Sequence, residues 1–418
     1  MGNLPPAGLR HRNDAPPPPP TSHLLRRPIT GPAMVLMFRR IRKYQCMQLM
    51  TTCLVVSVMM VCWEQLDDGV VSRVKSYSYR YLVNSFADVN RSLTVAREDA
   101  RVFSGFSYLL DHPDKCADQD VLLLLFVKSS PENAERRSAI RSTWGNQSYL
   151  RSALGATVKV LFALGAPQPE EAPSWTRRSR AGLQERLVRE DFLHGDLIQQ
   201  DFLDSFHNLT LKLLLQFHWT HHRCAHARFL MTADDDIFIH TPNLVRYLRH
   251  ASGEGAADLW VGKVHRGAPP NRSKQSKYYV SEAMYPWSTY PDYTAGAGYV
   301  VSGDVADRIY HASLTLNASL YIDDVFMGIC ANAVGVSPQE HPFFSGEGKA
   351  PSHPCIYERM VTSHGHVGDI GALWAAATHP GVKARTSGLW GRLYCAAVKV
   401  SLLCAPYNNA YPCKAAFL

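Results

Sequence analysis

Runs of apolar residues recur through the second two-thirds of the chain at the spacing of an α/β sheet. Residues 121–127, Val-Leu-Leu-Leu-Leu-Phe-Val, are apolar without interruption, the pattern of a strand covered on both faces. Comparable runs at 158–164, 197–200, 229–233, 260–264 and 299–302 predict further strands. Helical periodicity falls between several of them, notably at 209–222 and 243–250. After the first strand, Ser130, Pro131 and Glu132 read as N-cap, N1 and first-turn acid of a helix that runs to about Trp144 and stops at Gly145. This alternation predicts an α/β domain over residues 119–418, a mostly parallel sheet covered by helices. Ligands of such sheets collect beyond the carboxyl ends of the strands.

The chain ahead of this domain is of another kind. Residues 1–33, with Pro16 to Pro20, have the composition of a disordered tail. Residues 44–63 form a run of 20 without a charged side chain, about the length that crosses a bilayer as a helix. Basic residues precede the run, and Glu64, Asp67 and Asp68 follow it. The positive-inside tendency then leaves residues 1–43 in the cytosol and translocates everything after a single-span anchor. Residues 64–118 read as a stem. Residues 1–43 hold eight Lys or Arg against one acid, which leaves only +1 of the total +8 for the rest of the 418 residues. The basic balance therefore reports orientation in a membrane and gives no reason to propose a nucleic-acid partner.

Five Asn-x-Ser/Thr sequons, at Asn90, Asn146, Asn208, Asn271 and Asn317, all follow the apolar run and favour a lumenal location. Seven of the ten cysteines also follow it, with no C-x-x-C pair, so disulfides are the default in an oxidising compartment. Seven is odd, which leaves one thiol free or paired across a homodimer.

Candidate chemistry concentrates at Asp234-Asp235-Asp236, where a buried strand ends in three carboxylates. Like charges in adjacent positions are costly unless a cation or donors offset them, and carboxylate oxygens suit Mg2+ or Mn2+. Alternation puts Asp234 and Asp236 on one face and Asp235 on the other. Arg137 and Arg141, four apart on the first helix, are candidates for phosphate binding or else a solvated basic face. Trp287, Tyr290 and Tyr293 lie in a Pro- and Gly-rich stretch whose rings suit the apolar faces of sugars. Asp323 and Asp324 open a second acid-bearing helix, where the N-terminal dipole favours an ionised carboxylate able to act as a general base. Ser363-His364-Gly365-His366 offers imidazoles to complete a metal site. The same residues also fit a metal-dependent, lectin-like membrane protein, with Ca2+ on the acids and no transfer. A metal-dependent hydrolase is disfavoured, since no His-rich metal motif or Gly-x-Ser-x-Gly elbow is present.

Glu135-Arg-Arg-Ser-Ala-Ile-Arg-Ser-Thr-Trp-Gly145, Asp234-Asp-Asp-Ile-Phe-Ile, Tyr293-Thr-Ala-Gly-Ala-Gly-Tyr299 and Asp323-Asp-Val-Phe-Met-Gly328 together resemble the β1,3-glycosyltransferase family, which includes β3-galactosyl- and β3-N-acetylglucosaminyltransferases and, more distantly, Fringe enzymes. The stretches at 75–82, 264–270, 343–348 and 411–417 look like those of its glycolipid-directed members, which implies lactosylceramide as acceptor. The resemblance implies a GT-A-type domain in a type II Golgi membrane protein, using UDP-GlcNAc with Mn2+ or Mg2+. It implies metal contacts from Asp234, Asp236 and His366, a nucleoside contact from Asp235, and donor-binding roles for Arg137, Arg141 and Trp144. Asp324 matches the family's catalytic base, while Asp323, where many members carry Glu, is placed among the acceptor contacts. Galactose transfer, or GlcNAc transfer to glycoprotein chains, stands as the alternative within the same family.

Overall fold

A computed structural model describes residues 44–59, 106–167 and 177–401, apart from 254, 256, 317–319 and 347. Residues 44–59 are helical and solvent-exposed but for Ser57. They cover most of the predicted anchor; 60–63 and the first part of the predicted stem lie outside the described residues, as does the Pro-rich tail. Among the described residues no helix is long and apolar enough to cross a membrane. The chain forms two compact units that divide after Ser57.

The second unit is built on one sheet of eight strands: β1 (Tyr108–Leu110), β2 (Leu123–Lys128), β3 (Val158–Ala166), β4 (Leu197–Leu203), β5 (Phe229–Asp234), β7 (Trp260–Gly262), β10 (Gly298–Ser302) and β11 (Gln339–Glu340). Their order across the sheet is β1-β4-β3-β2-β5-β10-β7-β11. Short strands β6 (Ile237–Ile239) and β12 (Thr362–His364) form one ladder outside it, and β8 (Val264–His265) and β9 (Tyr293–Thr294) another. β4, β3, β2 and β5 run parallel, and β11 runs parallel to β7. β1, β10 and β7 join antiparallel. Six of the eight strands thus share one direction, as a mostly parallel sheet should, and only β1 and β10 oppose them; β10 returns beside β5 and brings the aromatic loop back to the site. β1 belongs to the sheet although it lies in the stretch read as stem.

Every residue of β2 and β3 is buried, which is why their sequences show no alternation. Leu124 and Phe126 face one core cluster, with Trp219 and Trp260, while Leu123, Leu125 and Val127 face a second, with Trp144 and Phe238. Burial of each such side chain contributes about 1.5–3 kcal/mol, so the central strands anchor both layers.

Among the helices, α1 (Ala134–Ser142), α2 (Gln147–Leu154), α3 (Arg177–His194), α4 (Leu209–Arg223) and α5 (Thr241–Gly253) follow the strands in turn. α6 (Gly303–Ser313) and α7 (Asp323–Ala333) come after β10, and α8 (Pro354–Tyr357), α9 (Ile370–Ala377), α10 (Pro380–Thr386) and α11 (Gly388–Ser401) close the described chain. α1 starts at Ala134, later than Ser130 and Pro131 promise. Asp235 is the reason: it draws Ser129 and Asn133 to its carboxylate, and the intervening residues turn. Disulfides join Cys116 to Cys224 and Cys355 to Cys395. Cys330 is a buried free thiol, its pKa pushed up by burial, while Cys404 and Cys413 lie outside the described residues.

Candidate active site

The carboxyl ends of two adjacent parallel strands meet at the site, because Lys128 of β2 and Asp234 of β5 are register partners. Lys128 is only 6% exposed, and a buried ammonium persists only when its charge is matched. Its Nζ lies 3.0 Å from Asp234 Oδ1 and 2.7 Å from Asp323 Oδ2, and donates to the Gly296 carbonyl at 3.1 Å. Burial opposes its charge, but Asp234 and Asp323 outweigh that and hold it well above the ordinary lysine value. One cation thereby joins the acidic end of β5, the loop before β10 and the start of α7.

Asp324 sits one residue further along, half-buried at the N-terminus of α7. Its Oδ1 accepts from the Val325 amide at 2.8 Å and its Oδ2 from the Gly296 amide at 3.2 Å. Burial, then the neighbouring Asp323 charge, raise its pKa, against Lys128 and the two amides, to about 7. A carboxylate tuned near neutrality suits removal of a proton from a hydroxyl. Gly296 permits the close approach: a Cβ there would lie 3.2 Å from Asp324 Cβ. Gly328 does the same for the helix, since its Cβ would meet Tyr293 Cβ at 2.7 Å.

Asp236 faces a different partner. The β6–β12 ladder pairs Ile237 with His364, which sets the imidazole Nε2 3.3 Å from Asp236 Oδ1. The two stabilise each other's charge: His364 holds Asp236 below the usual carboxylate range, and Asp236 raises His364. Asp234, Asp236 and His364 present ligand atoms within 4.8 Å of one another. Two carboxylates and an imidazole, each partly exposed, fit a divalent ion of the Mn2+ or Mg2+ kind.

The structure brings His364, rather than His366, to the acids. His366 is 4% exposed, with Nε2 2.7 Å from Ser363 Oγ and Nδ1 3.0 Å from Asp369 Oδ1, while its backbone amide donates to the Asp236 carbonyl. It braces the turn, and His364, two residues earlier, turns its ring to the acids. The opposite-face placement of Asp235 is what the structure has, but its carboxylate binds Ser129, Asn133 and Arg136 at 2.7–2.8 Å and is 6% exposed. That carboxylate is spent on positioning Ser129, Asn133 and Arg136.

The basic helix is likewise structural. Arg137 is fully buried and makes two bonds to Glu190, while also donating to the Ser130 and Pro131 carbonyls. Arg141 clasps Asp196 through two bonds and meets Glu190 at 2.7 Å. Despite burial, the two guanidinium groups hold Glu190 below its usual pKa. Trp144 is fully buried in the core. Arg137 and Trp144 are closed to solvent and Arg141 keeps 14% of its side chain exposed, whereas Arg136, on the same helix, keeps a third of its side chain exposed beside Asp235.

Around Asp324, Trp287 and Tyr293 are half-buried, and Tyr285 packs against Trp287 at 5.1 Å. Tyr290 is 3% exposed, its hydroxyl buried without a partner. It supports the loop from within, as Asp323 does through Lys128. Among the sequons, Asn271 is exposed, Asn146 caps α2 through Tyr149, and Asn208 donates to the Leu203 carbonyl. Asn90 and Asn317 lie outside the described residues.

Lys128 and Asn133 carry no motif that marks them as site residues in the sequence. The one visible signal was a lysine ending an otherwise apolar strand, which demands a buried counter-charge.

A buried cation joining two acidic elements, a carboxyl poised near neutrality and a carboxylate–imidazole group thus gather into one polar centre beyond the carboxyl ends of β2 and β5. The chain belongs to the Galactosyltransferase family, whose pattern matches residues 135–342 and takes in all four of the blocks quoted above. Among curated relatives, Lactosylceramide 1,3-N-acetyl-beta-D-glucosaminyltransferase A of Danio rerio is 62% identical over 385 residues, 92% of this chain and 100% of its own length. The Homo sapiens Lactosylceramide 1,3-N-acetyl-beta-D-glucosaminyltransferase is 56% identical over 387 residues, again 92% and 100%, and that of Mus musculus 56% over 380, 91% and 98%.

Proposed function

We propose that this chain is a hexosyltransferase that moves GlcNAc from UDP-GlcNAc, in β1,3 linkage, to the galactose of lactosylceramide, starting lacto- and neolacto-series glycosphingolipids. What carries the reading is the similarity to lactosylceramide transferases over nine-tenths of the chain, together with Asp324 held near neutrality beside the clustered acids of β5 and α7.

Asp324 takes the proton from the galactose 3-hydroxyl as that oxygen attacks the anomeric carbon, and inversion turns an α-linked donor into a β-linked product. The Gly296 and Val325 amides keep its carboxylate aimed, and Lys128 fixes α7 relative to the end of β5. Asp234, Asp236 and His364 would hold a Mn2+ or Mg2+ ion. Such an ion, when bound, neutralises charge on the departing diphosphate. Trp287 and Tyr293, half-exposed beside the loop, would receive the acceptor sugar. A GT-A type of domain, a type II topology with residues 44–63 as anchor, and residence in the Golgi membrane complete the proposal.

The test is GlcNAc transfer from UDP-GlcNAc to lactosylceramide with and without Mn2+. Transfer should collapse on chelation, and Asp324→Asn should lower kcat by about a hundredfold or more while donor binding persists. Undiminished transfer after chelation, or a fully active Asp324→Asn enzyme, would overturn the reading.

A further inference from the structure

The outward face of α11 is a patch with no role in the site. Leu389, Trp390 and Tyr394 are 63%, 82% and 53% exposed on one side of the helix, with Ala397 beside them. The opposite side is fastened down. Gly391 lies so close to α10 that a Cβ would meet the Thr386 carbonyl at 2.5 Å, Ala396 is buried, and Cys395 is bonded to Cys355 of α8. A helix so tightly held on one face has no conformational reason to expose a tryptophan on the other. Water penalises that arrangement, and a partner that accepts both apolar and aromatic side chains removes the penalty.

The charge around the patch identifies the partner. Lys383, Arg385 and Arg392 are exposed on α10 and α11, and no Asp or Glu occurs anywhere in residues 370–418. Exposed Trp and Tyr among basic residues, with no acid on either helix and the neighbouring Glu358 engaged by the buried Thr386 of α10, match the headgroup region of an anionic bilayer. A second exposed apolar group, Val188, Phe192 and Leu193 on α3, sits in mixed charge: exposed Arg186 and Arg189 share the helix with Glu185, which meets Arg189 at 3.8 Å, and with Glu190 and Asp191.

The structure assigns α11 and the basic end of α10 as a docking site for an anionic phospholipid surface, through which the enzyme engages an acceptor that is itself embedded in lipid. This rests on the glycolipid reading above. Leu389, Trp390 and Tyr394 enter the headgroup layer while Lys383, Arg385 and Arg392 meet lipid phosphates. The disulfide carries that position to α8, and the chain from α8 runs directly into β12 with His364. Docking is therefore mechanically tied to the segment that completes the candidate ion site.

The test uses the full chain in vesicles of phosphatidylcholine with or without phosphatidylserine, assayed on lactosylceramide in the bilayer and on a soluble β-lactoside. A Leu389→Ser/Trp390→Ser/Tyr394→Ser variant should lose about tenfold in kcat/KM on the bilayer acceptor and stay within about twofold on the soluble one. Lys383→Gln/Arg385→Gln/Arg392→Gln should abolish any gain from phosphatidylserine, and Phe192→Ser/Leu193→Ser should leave both acceptors near wild type. Equal loss on both acceptors, no loss on either, or a bilayer-specific loss from the α3 variant instead would overturn the assignment. Quenching by brominated lipids gives a readout independent of transfer, and it should fall in Trp390→Phe. If the wild type transfers to neither acceptor, the reading of function fails, while the quenching still decides docking, with unchanged quenching in Trp390→Phe counting against it.

Discussion

Replacing Lys128 by Met keeps the length of the buried stem and removes only the charge. The wild-type ammonium meets Asp234 at 3.0 Å, Asp323 at 2.7 Å and the Gly296 carbonyl at 3.1 Å, with its side chain 5% exposed. Loss of one partner from a buried ion group costs about 3–5 kcal/mol, because the remaining charges stay desolvated and unopposed. Here two carboxylates are left facing each other, so Lys128→Met should fall at the upper end. In a chemical-denaturation series, the double change Lys128→Met/Asp323→Asn should recover part of the loss, since it removes the repulsion that the single change creates. Activity supplies a second readout. Lys128 opposes the forces that raise Asp324, so its removal lets the Asp324 pKa climb above about 7. Asp324 acts as a base in its deprotonated form, so kcat rises with pH through that value, and the rising limb must move alkaline in the variant. A variant within about 1 kcal/mol of wild type, or a limb that stays put or moves to lower pH, would refute the linkage of the two acidic elements through this cation.

Further outcomes follow from the same geometry. His364→Ala should raise the Mn2+ concentration needed for half-maximal rate by about tenfold or more, whereas His366→Ala should leave it near wild type and cost about 1–3 kcal/mol in stability through its lost bonds to Ser363 and Asp369. Gly296→Ala should displace the Asp324 carboxylate by a few tenths of an ångström and lower kcat by roughly tenfold, with little change in thermal unfolding. Replacing Cys355 and Cys395 by Ser should destabilise the domain by about 4 kcal/mol, since the bridge closes a loop of 40 residues in the unfolded chain. A reduced-form denaturation curve that overlays the oxidised one would count against that figure.

The linear chain determined the elements and the place of the chemistry. The unbroken apolar run before Lys128, the acids closing β5 and the paired aspartates opening α7 are local signals, fixed by burial, charge and helix polarity. Asp324 could be singled out for that reason. Which charges oppose one another is a matter of distance between remote segments, and only the tertiary structure decided it. Arg137 and Arg141, four apart on one helix, read as phosphate ligands or a solvated basic face, yet α3 and the turn before β4 bring Glu190 and Asp196 onto them as counter-charges. His364 and His366 are indistinguishable in sequence as ligands. The pairing of β12 with β6 turns the His364 ring toward Asp236, and because the strand ends there and Gly365 takes a left-handed φ of 85°, the turn folds back on the Asp236 carbonyl and buries the His366 ring. Lys128 belongs to both accounts, since an isolated lysine at a buried strand end announces a counter-charge, while the 106 and 195 residues that separate it from Asp234 and Asp323 hide which acids supply it until the sheet is assembled.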